Sequence, residues 1–225
     1  MITDIMAPVI PGHPGTLSRS WKFAKTPHIR MMTRPERQIS ATFRMTAALC
    51  LFCLADAMPA VSDQTDPALH QLFADLQHTG NSAKAEQLTT EIWARWIAAD
   101  NDADADMLME TGMTLMNSGV LDGAEQVFSQ LIHDHPDFAE AWNKRATVRF
   151  LLGDIAGSRR DIARVIDLEP RHFGALSGLG MINMQSGDLK AALQAFEAAL
   201  RINPHLDQTV DITRKLRKQL RGQPL

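Results

Sequence analysis

The chain has 225 residues, of which 45% are hydrophobic and 22% charged, and its formal net charge is −3 at pH 7. This composition is typical of a globular protein, and no window of about eighteen apolar residues predicts a membrane-spanning helix. Residues 1–57 contain seven of the 23 Lys and Arg and three of the 26 Asp and Glu, which leaves 16 against 23, net −7, for residues 58–225. The sequence predicts no nucleic-acid partner, because such partners need a clustered basic face.

The N-terminal part of the chain has the features of a leader and an export signal. Residues 1–30 carry prolines and glycines without a periodic apolar face, which is typical of a disordered leader or a misassigned start codon. Residues 31–57 then combine arginines, the apolar run "MTAALCLFCLADA" and an exit at Ala55 and Ala57. This arrangement predicts a secretory signal peptide and an exported, periplasmic chain. The alternative is an uncleaved anchor in the inner membrane with the chain facing the periplasm.

Both cysteines, Cys50 and Cys53, lie inside this apolar run. A redox pair would need a surrounding βαβ pattern, which the sequence lacks. Leu49 and Phe52 are too large for the residues that precede a lipoprotein cysteine. Signal cleavage would therefore leave a mature chain without cysteine.

A linker at 58–66 and a helical hairpin at 67–99 are predicted next. Asp66 and Pro67 supply a capping acid followed by a proline at the first helical position. Apolar residues then recur at helical spacing on two helices. They are Leu69, Leu72, Phe73 and Leu76 on the first helix, and Ala85, Leu88, Ile92, Trp93 and Trp96 on the second. We expect this hairpin to cap the N-terminal end of the segments that follow, because solenoid ends need atypical repeats.

The stretch between residues 105 and 204 repeats itself every 34 residues, as Pro136, Pro170 and Pro204 show. Self-similarity at this period predicts a solenoid of helix pairs. Turn glycines, small residues and large apolar residues also align. The aligned sets are Gly119, Gly153 and Gly187; Gly112, Ala146 and Gly180; Ala124, Ser158 and Ala192; and Phe128, Ile162 and Phe196. We expect the small residues to let the paired helices approach closely, with the large residues filling the space around them.

This pattern resembles the tetratricopeptide repeat family, whose repeat is 34 residues long. The third copy matches the family at Leu176, Leu179, Gly180, Gly187, Ala192, Phe196, Ala199 and Pro204. The resemblance implies an all-α fold, a right-handed superhelical solenoid of helix pairs. It implies repeats at 105–136, 139–170 and 173–204, and a solvating helix at 205–221 that closes the array.

No signature of catalysis, metal binding or cofactor binding emerges from the sequence. The acidic run at 100–106 is not an EF-hand loop, because Ala105 and Thr111 stand where that loop needs Gly and Glu. These acids are expected to cap a helix instead. The histidines lack the i, i+4 pair with a carboxylate, and no phosphate loop or nucleophile elbow is present. The sequence therefore predicts a protein that is not an enzyme, with no cofactor, no metal and no small-molecule substrate.

The family resemblance implies a concave groove lined by positions 2, 5, 9, 12 and 13 of the first helix in each repeat. These positions carry Asp106, Met109, Met113, Met116 and Asn117, then Glu140, Asn143, Thr147, Phe150 and Leu151, then Gly174, Ser177, Met181, Met184 and Gln185. Because methionine adapts its shape to many apolar partners, we expect a protein or peptide partner in this Met-rich groove. The alternative is that the superhelix closes and buries the methionines as ordinary packing.

Arg145 and Arg149 depart from the family, which usually has Leu and an aromatic residue at these positions. The two arginines lie four residues apart and share a helix face. Their charges could be paired inside this chain, and Asp161 on the facing helix is then the first candidate. They could instead contact a partner's carboxylate.

The function expected from the sequence is that of a non-catalytic protein-binding or peptide-binding scaffold of the bacterial cell envelope. The alternative is a membrane-anchored structural or assembly subunit of an envelope complex, and a membrane partner is expected only if the N-terminal segment stays uncleaved.

Overall fold

The computed structural model describes residues 66–99 and 102–222, so the predicted leader, the signal peptide and most of the linker lie outside the described residues. The described ranges hold nine α-helices. They are α1 (Ala68–His78), α2 (Ser82–Ile97), α3 (Ala103–Asn117), α4 (Leu121–Asp134), α5 (Ala139–Leu152), α6 (Ile155–Leu168), α7 (Phe173–Gln185), α8 (Leu189–Ile202) and α9 (Asp207–Leu220). None of them is long and apolar enough to cross a lipid bilayer.

Helices α3 to α8 pack as three consecutive pairs, α3 with α4, α5 with α6 and α7 with α8, and α9 packs on α8. The predicted turn glycines end the first helix of each pair. Gly119, Gly153 and Gly187 have φ values of 77°, 86° and 78°, which lie in the left-handed region that glycine adopts without steric cost. The all-α arrangement of helix pairs that the 34-residue period predicts is therefore confirmed.

Each pair is closed by contact between a small residue and a large one. A Cβ atom on Gly112 would lie 2.5 Å from the ring of Phe128, and a Cβ atom on Gly180 would lie 2.5 Å from the ring of Phe196. The middle repeat has Ala146 where the others have Gly, and its partner is the smaller Ile162. The larger small residue of the middle repeat thus faces a smaller apolar partner, so the paired helices keep their close approach in all three repeats.

We expect Gly180→Ala to lower the free energy of unfolding by about 1–3 kcal/mol, because the added methyl group overlaps the Phe196 ring. Combining Gly180→Ala with Phe196→Ile reproduces the pair found in the middle repeat. The double variant should lose less stability than the sum of the two single variants, by about 1 kcal/mol, in urea denaturation. Additive losses would show that the two positions do not share one packing volume.

The apolar faces of α1 and α2 match the prediction, since Leu69, Leu76, Ile92 and Trp96 are buried. Their packing partners were not predicted. The hairpin α1–α2 shares one apolar cluster with Phe173 and Ala199 and with the half-buried Leu176, Ile202 and Leu206, all of which belong to the third repeat or directly follow it. This position differs from that of a cap stacked ahead of the first repeat.

Polar contacts at the edge of this cluster also join the hairpin to the third repeat. Asn203 Nδ2 donates to Thr89 Oγ1 at 3.1 Å, and His205 Nε2 donates to the Leu76 carbonyl at 3.2 Å. Because both partners follow α8 directly, the hairpin is held at the end of the third repeat as well as against its apolar face.

Helix α9 packs on α8 at the end of the array, as the resemblance implies. The sequence predicts that Leu206, Val210, Leu216 and Leu220 form its apolar side, and the buried face differs from this prediction. Thr209, Thr213 and Leu216 are buried, whereas Leu220 is 38% exposed. The spacing of the buried residues, i, i+4 and i+7, is that of one helix face. The exposed side of α9 carries Arg214, Lys215, Arg217, Lys218 and Arg221.

Candidate functional site

The predicted groove residues lie on α3, α5 and α7 and divide into two groups by exposure. One group is buried: Met109, Glu140, Asn143, Thr147, Gly174 and Ser177. Except for Thr147, these residues occupy the N-terminal part of each helix. In this conformation, the N-terminal part of the predicted groove on α5 and α7 is therefore closed to a partner.

The second group remains accessible and lies toward the C-terminal ends of α3, α5 and α7. Its half-buried members are Met113, Met116, Phe150, Leu151, Met181 and Met184. Asn117 and Gln185 are exposed, as is Asp106 at the start of α3. Met113 and Met116 pack on the cluster around Phe128, and Met181 and Met184 pack on the cluster around Phe196. Each of these methionines thus contributes to packing and keeps part of its side chain in solvent.

The buried part of the predicted groove contains a charged cluster centred on Glu140. Its Oε2 atom accepts hydrogen bonds from His172 Nε2 at 2.8 Å and from Asn143 Nδ2 at 3.0 Å. Lys144 Nζ lies 3.0 Å from Oε1. All four residues are at most 2% exposed. Because a buried charge is tolerated only when it is paired, the carboxylate and the ammonium group depend on each other.

The backbone of α7 fixes the orientation of the His172 imidazole. The Ala175 N–H donates to His172 Nδ1 at 3.1 Å, so the imidazole caps the N-terminus of α7. Because Nδ1 is an acceptor there, the proton lies on Nε2, which donates to Glu140. The imidazole thus bridges the α7 backbone and the Glu140 carboxylate, and Lys144 adds a positive charge to the cluster.

The environment of Glu140 acts on its pKa in two directions. Burial favours the neutral acid and so raises the pKa, while the charge of Lys144 and the hydrogen bond from His172 lower it. The lowering effects prevail, and the pKa of Glu140 lies below the usual glutamate value. The carboxylate is therefore ionised at neutral pH despite its burial.

Because the pKa of Glu140 is lower in the folded state, its ionised carboxylate stabilises the fold fully above the unfolded-state pKa of about 4.3. This stabilisation is lost as the pH falls through the lower folded-state pKa. We expect the free energy of unfolding to fall below about pH 4. Because other carboxylates also titrate there, the measurement is the difference between the wild type and Glu140→Gln in urea denaturation at several pH values. The same acid dependence in both proteins would contradict this assignment.

Two tryptophans of α2 cover the charged cluster. The Trp96 ring stacks on the His172 imidazole with centroids 4.2 Å apart and an interplanar angle of 9°. The Trp93 ring meets His172 edge-on at 5.4 Å, and Lys144 Nζ lies 5.6 Å from its centroid. Both indoles also contact Phe173. The hairpin α1–α2 therefore excludes water from the N-terminal part of the concave face through two side chains one helical turn apart.

Arg145 and Arg149 pair with carboxylates of this chain, which is the first of the two interpretations of the sequence. Arg145 Nε and Nη2 donate to the two carboxylate oxygens of Asp161 at 2.9 and 2.8 Å. Arg149 Nη1 donates to the same carboxylate at 2.9 and 3.0 Å, and its Nε donates to Glu125 at 2.8 Å. The prediction that Asp161 pairs with Arg145 is confirmed.

Removing Asp161 should cost much more stability than removing Arg145. Asp161→Ala leaves two largely buried guanidinium groups without this carboxylate, which should lower the free energy of unfolding by about 3 kcal/mol. Arg145→Leu should cost little, because Asp161 keeps Arg149 and an apolar side chain can replace a buried ion pair. Urea denaturation of both variants measures the contrast, and equal losses would contradict it.

Comparison with known proteins agrees with this geometry. Residues 109–161 and 144–207 each match the family model described as tetratricopeptide repeat. The chain contains tetratricopeptide repeats. A TPR repeat-containing protein of Rhizobium etli is 36% identical to it over 136 residues, which cover 60% of this chain and 66% of the relative's length.

One solved structure shows the same fold over about half of this chain, and a second was also found. The first TPR of Spaghetti (RPAP3), bound to the HSP90 peptide SRMEEVD, is similar with a TM-score of 0.50 and 22% identity over 53% of this chain and 95% of that chain. The Sgt2 TPR domain from Aspergillus fumigatus has a TM-score of 0.49 and 19% identity over 55% of this chain and 87% of that chain. TPR repeat proteins are non-catalytic scaffolds that typically bind proteins or peptides.

The sequence did not reveal the cluster of Glu140, Lys144 and His172. Glu140 and Lys144 are four residues apart, a spacing that usually indicates a pair on a solvated helix surface. Their burial depends on Trp93 and Trp96, which lie on a distant helix and whose packing partners have no signal in the sequence. Among residues 66–99 and 102–222, no three His, Cys, Asp or Glu side chains are arranged to hold a metal ion.

Proposed function

We propose that this TPR domain binds an apolar segment of a protein partner along the C-terminal parts of α3, α5 and α7. The observation that carries this proposal is the row of half-buried apolar side chains there, formed by Met113, Met116, Phe150, Leu151, Met181 and Met184. The flexible thioether side chains can repack around different apolar groups. Exposed Asn117 and Gln185 supply amide groups at the edge of this row. We call it the open groove.

The charges around the concave face favour an apolar partner over an acidic one. The peptide in the Spaghetti structure, SRMEEVD, carries three acidic residues. In this chain the nearby cations already have carboxylate partners, Lys144 on Glu140 and both Arg145 and Arg149 on Asp161. An acidic ligand would have to compete with these pairs, whereas an apolar segment needs only the exposed sides of the methionines.

We expect the double variant Met113→Gln/Met181→Gln to weaken partner capture at least tenfold, about 1.4 kcal/mol. Glutamine keeps the length of methionine but presents a polar amide to an apolar ligand. The measurement is capture of partner from an envelope extract by the mature chain, followed by titration of the partner identified. The melting temperature should change little, because both methionines are only partly buried.

Met107→Gln is the matched control, because Met107 lies on the same helix as Met113 but is 59% exposed and outside the predicted groove. It should leave partner capture unchanged. If the double variant binds as the wild type does, the open groove is not the binding face. If it loses its helical structure, the methionines belong to the core and the partner must contact another face.

We further propose that the protein works in the bacterial cell envelope after export. Support comes from the arginine-flanked apolar run before Ala55 and Ala57 and from the bacterial origin of the 36%-identical relative. Removal of residues up to about 57 would also remove both cysteines, which suits a scaffold with no thiol chemistry.

The expected mature N-terminus is near Met58, or near Val61 if processing follows Ala60. Intact mass of the protein from a membrane-free periplasmic fraction measures it. Full-length chain in the membrane pellet would favour the alternative of an anchored assembly subunit. Full-length chain in the cytoplasmic fraction would contradict export.

A further inference from the structure

The concave face of the second and third repeats is only partly available. Glu140 and Asn143 at the start of α5, and Gly174 and Ser177 at the start of α7, are buried. At the ends of the same two helices, Leu151 is half-buried and Gln185 is exposed. The difference follows the position of α2, which contacts α5 and brings Trp93 over Lys144. One segment of this chain therefore occupies part of the surface that the repeats present for binding.

The covered surface has the chemical features of a recognition surface. It presents one charged pair, one imidazole and the aromatic ring of Phe173 to two indole rings that are three residues apart on one helix face. The seams between paired helices are different, since they consist of glycine or alanine against Phe128, Ile162 and Phe196. The contact with the hairpin also includes Ala199 and the half-buried Leu176, Ile202 and Leu206, so the covered surface combines polar groups with an apolar part that suits an amphipathic helix.

One polar group of the hairpin is left without a partner in this contact. Trp96 Nε1 is buried and has no hydrogen-bond partner among the described residues. This N–H lost water on burial without gaining a replacement, which opposes the contact between the hairpin and the third repeat.

We propose that the hairpin α1–α2 is a resident ligand of the concave face of repeats two and three. The surface beneath it recognises an amphipathic helix that carries two aromatic side chains one turn apart. A partner with that pattern displaces the hairpin and gains the N-terminal part of the groove in addition to the open groove. This inference rests on the proposed function only in taking the concave face as the binding face.

The test uses the full chain and a fluorescent synthetic peptide of residues 82–98, which carries Trp93 and Trp96. In a Cys50→Ser/Cys53→Ser background, Thr89→Cys and Asn203→Cys replace two side chains whose Oγ1 and Nδ2 atoms lie 3.1 Å apart with thiols. Oxidation of this pair locks the hairpin onto α8, and reduction releases the lock. The two states have the same sequence, so peptide binding is compared without a change of fold.

We expect the reduced chain to bind the peptide at least tenfold more tightly than the oxidised chain in fluorescence anisotropy. A peptide with alanine in place of both tryptophans should bind neither state. The full-chain variant Trp93→Ala/Trp96→Ala, with helicity checked by circular dichroism, should bind the unmodified peptide more tightly than wild type does, because its own hairpin competes less well.

Equal binding by the reduced and oxidised states would overturn the proposal, and so would the absence of peptide binding in both. The assay needs no cellular partner, so its outcome is separate from that of the open groove. Loss of partner capture in Met113→Gln/Met181→Gln with an intact peptide result would place the partner's contacts in the open groove. Intact partner capture without peptide binding would support the proposed function and contradict the proposal that the hairpin is a resident ligand.

Discussion

The close approach of the two helices within each repeat is the constraint on which the other features depend. Gly112 and Gly180 admit the rings of Phe128 and Phe196 at distances where a Cβ atom would overlap, and the middle repeat reaches the same packing with Ala146 and Ile162. Because each pair is built alike, the first helices α3, α5 and α7 present equivalent positions to one face. That regularity brings methionines of the first and third repeats, more than sixty residues apart, into one predicted groove.

Two charged groups use the space between the repeats in different ways. The carboxylate of Asp161 holds Arg145 and Arg149 within the solenoid, and Glu125 extends that set to α4. The carboxylate of Glu140 instead stands on the concave side, where the hairpin α1–α2 shields it from water. A buried ion pair adds little net stability, but removing one partner leaves a costly unpaired charge. The Asp161 set joins α5 to α6 and, through Glu125, to α4 of the neighbouring repeat. The Glu140 set places a charged pair on the predicted concave face, where His172 caps α7 and the Trp96 ring stacks on its imidazole.

Periodic and local features were predictable from the sequence, and long-range packing was not. The turn glycines, the helix pairs and the contact between Arg145 and Asp161 follow from the 34-residue register, because it aligns equivalent positions and places the facing helix. The apolar face of α2 was also predictable, but not its contact with His172, 76 residues beyond Trp96, since no repeat relates the two segments. The same gap explains α9, where Thr209 and Thr213 are buried and Leu220 is 38% exposed. Its buried face is set by contacts with α8 and with Met181 and Met184 of α7, which no periodic pattern within α9 reveals.

The central claim is that a stable solenoid carries a separable hairpin on its concave face, and native-state hydrogen exchange of the full chain tests it most directly. Two short helices are marginal in water without tertiary packing, so their amides become exposed whenever the hairpin leaves the third repeat. The account predicts that amides in α1 and α2 exchange with a lower opening free energy than those in α8, and that oxidation of the Thr89→Cys/Asn203→Cys pair slows them selectively. Exchange of α1, α2 and α8 with one common opening free energy, unchanged by the lock, would contradict it and make the hairpin an inseparable part of the fold.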